Sequence, residues 1–207
     1  MRQLVRFRNI LANRIETKGK VNMIEKFMIE HCSPTLASIK TANLFGVKKE
    51  TIENINEEIE LVNEKIAYKG VETIVLKEDD HRALVYVCRK SKLAQDLNKP
   101  GVFRFLKKYG YENNNVDYAI ERLKNRIKES NEFPHEIGIF LGYPLGDVIG
   151  FIENGGKNSK CVGCWKVYCN QCQAMKLFAQ FNKCKQVYQK LWTNGRGLDQ
   201  LAVAVSK

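Results

Sequence analysis

The chain has 207 residues, 44% of them hydrophobic and 28% charged, with 34 Lys and Arg against 23 Asp and Glu for a formal charge of +11. That length and composition suit one folded domain and exclude collagen-like, mucin-like and low-complexity chains. No apolar run approaches the roughly 20 residues of a membrane span, no signal-peptide pattern opens the chain, and seven cysteines without an export signal read as reduced thiols, metal ligands or small buried apolar residues, so the expectation is a cytoplasmic protein with no membrane partner.

The charge is clustered: residues 1–22 carry six bases (Arg2, Arg6, Arg8, Arg14, Lys18, Lys20) against Glu16, the basic excess recurs over 89–128 and 157–207, and 129–156 is acidic. Residues 1–22 read as a basic N-terminal arm or a wrongly assigned start, and 23–207 as a single domain. Apolar residues at Met23, Ile24, Phe27 and Met28 begin a helix that is expected to stop at Ser33-Pro34, because the residue before a proline is pushed out of the α region. His31-Cys32 closes that helix, with Ser33-Pro34-Thr35 and Lys40 following, and Leu36 to Phe45 reads as extended. Ile52, Ile55, Ile59, Val62 and Ile66 recur at helical spacing with glutamates on the other faces, which predicts an amphipathic helix.

Val71 to Leu76 and Arg82 to Arg89, β-branched and aromatic, flank Glu78-Asp79-Asp80-His81 and predict a hairpin. Short helices are expected over Ser91 to Asn98 and Pro100 to Lys108, and a longer one carries Val116, Ala119, Ile120, Leu123 and Ile127 inward. After Phe133-Pro134, His135 to Leu141 reads as a strand, and Pro144 opens a helix with Leu145, Val148, Ile149 and Ile152 inward. A strand over Lys160 to Tyr168, a long helix over Gln171 to Trp192 and a last strand over Leu198 to Val205 complete an α+β expectation, with a mostly antiparallel sheet of about four to six strands.

Three phrases stand out: His31-Cys32-Ser33-Pro34-Thr35-Leu36-Ala37, Ala83-Leu84-Val85-Tyr86-Val87, and Phe133-Pro134-His135-Glu136-Ile137-Gly138-Ile139-Phe140-Leu141-Gly142-Tyr143-Pro144. With Gly163-Cys164-Trp165-Lys166-Val167-Tyr168 they resemble the bacterial family named domain of unknown function 3793, from about Met23 to the C-terminus. The resemblance implies cysteines at the positions of Cys164 and Cys184 and supplies no activity.

Cys161-x2-Cys164-x4-Cys169-x2-Cys172 presents four soft ligands that would suit zinc or iron, although four residues between the two halves leave little chain to fold one pair onto the other. Cys161-Val162-Gly163-Cys164-Trp165 looks like a papain-type nucleophile motif, but all three histidines lie upstream of it. His135-Glu136 has Ile139 where a zincin needs its second histidine. His135 therefore remains an acid, base or ligand candidate, with Glu136 orienting it and Asp147 or a thiol as partner.

The leading expectation is a binding or accessory protein using a pocket between the 133–142 segment, the Pro144 helix and the Cys164 strand, with His135, Glu136, Cys164 and Cys184 as its site for a metal, cofactor or redox partner protein. A second is a nucleic-acid binder acting through Lys107, Lys108, Lys124 and Lys128, with Tyr109, Tyr111 and Trp165 stacking bases if exposed. A third is an enzyme with a Cys-His pair.

Overall fold

The computed structural model describes residues 22–52, 54–129 and 132–204. The basic arm expected over 1–22 lies outside them apart from Asn22, whose side chain caps helix α1 (Met23–Leu36) by accepting the Glu25 amide at 3.1 Å. Strand β1 (Ala42–Lys48) follows, then α2 (Ile55–Ile66), β2 (Glu72–Glu78), β3 (Arg82–Cys88), α3 (Lys90–Leu97), α4 (Val102–Lys107) and α5 (Val116–Glu129). The C-terminal part runs α6 (Ile137–Phe140), α7 (Leu145–Glu153), β4 (Cys161–Val162), β5 (Lys166–Val167), α8 (Gln171–Thr193) and α9 (Leu198–Leu201).

The fold is α+β, as its alternating and helical periodicities require, with fewer strands in the sheet than expected. β1, β3 and β2 form a three-stranded antiparallel sheet in that order, and β4 with β5 makes a separate two-stranded ribbon. Residues of opposite parity in β3 face opposite layers. Ala83, Val85 and Val87 pack with α1, α2, α9 and Tyr188 of α8, whereas Tyr86 and Cys88 pack with α3 to α7. The stripe on α2 is buried as its spacing demands, and so is the one on α5.

Five local expectations are corrected. α1 runs through Pro34, which falls in its buried last turn, where Arg89 holds the Thr35 and Leu36 carbonyls and the Ser33 hydroxyl donates to the Ile29 carbonyl. The chain is not extended from Leu36. It turns through Ser38, at φ 58°, before β1 begins at Ala42. His135 to Leu141 is not a strand but a turn leading into α6, with the Ile137 amide bonded to the Pro134 carbonyl at 3.1 Å. An unbroken buried apolar run such as Ile137 to Leu141 has no periodicity that separates strand from helix. Lys160 to Tyr168 is a folded-back ribbon that turns at Gly163, and Leu198 to Leu201 is helical, the following Val203 amide bonding to the Leu36 carbonyl at 3.0 Å.

Candidate functional site

A cavity of about 320 Å³ opens where α6, α7 and the β4–β5 ribbon meet. Gly138 lets the first two approach: a Cβ there would stand 2.7 Å from a Val148 methyl carbon. The ribbon is pinned by Asp147 in the first turn of α7. Its buried carboxylate accepts the Trp165 indole N–H and the Tyr168 and Cys169 amides, each at 2.8 Å. Trp165 in turn stacks on Tyr143 (centroids 4.9 Å apart, 26° between planes) and meets the Phe178 ring edge-on at 4.6 Å. The walls are thus largely apolar and aromatic, with Ile137, Tyr143, Val148, Phe151 and Trp165 around the space.

His135 stands exposed at the rim, its ring 4.9 Å from that of Phe151. Glu136, the next residue, does not orient it. Its carboxylate is buried on the other side of the turn, where it accepts from Arg126 Nε and, at 3.5 Å, from the Tyr111 hydroxyl. Successive residues of a turn point apart, so adjacency in sequence brings no contact here.

The thiols are dispersed as well. Cys164 is exposed in the ribbon turn and lines another cleft, beside His31, Lys40 and Lys185, while its carbonyl accepts the Tyr143 hydroxyl at 3.2 Å. Cys184 packs half-buried against the α1 side of the core, where burial pushes its thiol up to about 11. Cys161 packs against the small cluster around Trp165, Cys169 places its sulfur over Gly146, and Cys172 is exposed in the first turn of α8. Burial, and then the neighbouring Asp147 carboxylate, raises the Cys169 pKa. Among the described residues no group of three or more His, Cys, Asp or Glu side chains is placed to hold a metal ion, so the four-cysteine arrangement for zinc or iron does not assemble. The ribbon separates these thiols, as so short a connection between the two pairs suggests.

Of the lysines, Lys107 ends α4, Lys108 follows it, and Lys124 and Lys128 lie on α5, where Lys124 pairs with Glu121 at 2.8 Å. The aromatic platform expected with them does not form, since Tyr111 and Trp165 are only 1% and 9% exposed. Lys40, which the sequence placed after His31-Cys32 without giving it a role, is an unusual charged group of the region. Its ammonium is buried, donates to the Ala42 carbonyl and to the Leu141 carbonyl at 2.9 Å, and lies 5.2 Å from the Tyr143 ring centroid. Burial brings its pKa down to about 8. Nothing local marks Lys40, because its partners come from positions two and about a hundred residues away.

The family described as Protein of unknown function (DUF3793) matches residues 28–202. No curated protein and no solved structure matches the chain.

Proposed function

The chain belongs to the family of proteins of unknown function just described, whose description assigns no chemistry, and from its own geometry we propose that it binds a small, flat, largely apolar molecule in the cavity between α6, α7 and the β4–β5 ribbon. The observation that carries this reading is the composition of the walls: aromatic rings and aliphatic side chains around about 320 Å³, with an imidazole at the mouth. Concave apolar sites with a few polar groups are what small-molecule ligands select, the apolar walls supplying affinity and the polar group orientation. His135 would give or accept one hydrogen bond with the ligand, according to tautomer. Asp147 already accepts three N–H groups and serves to hold the ribbon in place.

Trp165 lines the cavity and makes the test direct. In a Trp192→Phe background, an uncharged planar probe such as 2-naphthol is expected to change Trp165 emission saturably. Val148→Phe, which fills the space, is expected to weaken that binding about tenfold or more, and His135→Ala to weaken it less. Absence of a saturable change, or an unaltered affinity in Val148→Phe, would remove the proposal.

A further inference from the structure

We propose a second, separate site: the cleft bounded by the C-terminal half of α1, the segment Lys40 to Leu44 and the middle of α8 binds a small phosphate monoester, its phosphate held by His31, Lys40, Asn43 and Lys185. This cleft, of about 230 Å³, shares only Tyr143 with the apolar cavity. Its polar side chains converge as donors. Lys40 spends two of its three N–H groups on the Ala42 and Leu141 carbonyls. Asn43 accepts the Thr35 hydroxyl through Oδ1 at 2.7 Å, which leaves its amide NH2 as a donor. His31 on α1 and Lys185 on α8 complete the set, and no carboxylate lines the space. The groove on the other side of Lys40 differs: there Asp96 is present, bonded to Thr41 and paired with Lys99 at 2.6 Å.

Two ammonium groups, Lys40 and Lys185, line the same cleft. The His31 pKa is lowered chiefly by burial, against which Glu30 acts, with Lys185 adding a smaller lowering; Lys40 is likewise lowered chiefly by burial, against Cys32, Cys164 and Asp96, with Lys185 adding least. Among the described residues Lys185 has no ion-pair partner. Bringing cations together is unfavourable unless an anion joins them, and a doubly charged phosphate suits several donors better than a singly charged carboxylate does. The remaining wall, with Pro34, Leu44, Leu141 and Phe181, is apolar and would take the organic part of the ester.

Isothermal titration at low ionic strength with phenyl phosphate and with inorganic phosphate tests the proposal. Phenyl phosphate is expected to bind more tightly than inorganic phosphate, to weaken with added salt, and to lose about tenfold in affinity in Lys185→Ala, a half-buried position whose change leaves the core intact. Val148→Phe is expected to leave that affinity unchanged, which separates this site from the apolar cavity and lets either proposal fail alone. No measurable heat, equal affinity for the two probes, or binding that Lys185→Ala leaves intact would overturn the assignment.

Discussion

Arg89 follows β3 with its side chain fully buried, and it faces carbonyls rather than a carboxylate. Nε donates to Thr35 O at 2.6 Å, Nη1 to Lys69 O at 3.0 Å, and Nη2 to Leu36 O and Val203 O at 2.7 Å each. One planar fork thereby closes the end of α1, the turn after α2 and the segment after α9, and the partial negative charge at a helix C-terminus favours a cation there. Arg89→Met is expected to cost about 3 kcal/mol or more in urea unfolding, because the four carbonyls lose their donor without gaining water. Arg89→Lys is expected to recover only part of that, since an ammonium lacks the fork. Lys40 makes a different prediction. Its pKa is brought from 10.5 down to about 8, by burial first and with Lys185 adding to it, against the opposing influence of Cys32, Cys164 and Asp96. The unfolded chain therefore binds the extra proton between pH 8 and 10.5, and this residue's contribution to stability rises with pH across that window. The stability of the natural chain relative to Lys40→Met should grow from pH 8 to 10.5 and stay level below it, as read by denaturation at each pH.

At the scale of elements, the β4–β5 ribbon is too short to stand alone and depends on what it touches. Asp147 holds it to α7, and Gly163 lets it lie on α8, where a Cβ would stand 2.2 Å from the Phe178 ring. Asp147→Asn replaces one acceptor oxygen by a donor facing N–H groups, at an expected cost of about 2 kcal/mol, with Trp165 emission shifting to the red as the ribbon loosens. Gly163→Val is expected to speed amide exchange in residues 161–167 while leaving β3 protected, a local opening rather than global unfolding. Gly142 has a comparable role at the end of α6: its φ of +76° and a prospective Cβ 2.7 Å from Thr41 Oγ1 both require glycine. Helices with a polar face were legible beforehand because α2 and α5 repeat their apolar residues at the helical period. The segment from His135 to Leu141 was not, because Ile137 to Leu141 are all buried and no face is left polar to reveal the period.

Across the whole molecule, β3 is shared by two cores, with α1, α2, α8 and α9 on one side and α3 to α7 on the other. α8 extends from the first core, at Tyr188, to the small cluster around Trp165, at Ala174, Phe178 and Phe181. Trp192 packs near the former end and Trp165 at the latter, so Val85→Ala in the middle of β3 should lower the urea midpoint equally in the two single-tryptophan variants if the layers unfold together. Unequal shifts would show that the Trp165 end opens separately. No helix among the described residues is long and apolar enough to cross a membrane. Composition and periodicity by themselves determined that this chain buries amphipathic helices against antiparallel strands, since apolar spacing dictates which faces leave water. The family phrases likewise marked the 133–144 and 163–168 segments that wall the cavity. Tertiary structure alone decided which polar groups meet there. It sent Glu136 to Arg126 rather than His135, spread Cys161, Cys164, Cys169, Cys172 and Cys184 over separate surroundings, and brought Lys40 between α1 and α8. Such convergence depends on distances between residues far apart in the chain, and spacing along a sequence constrains only near neighbours.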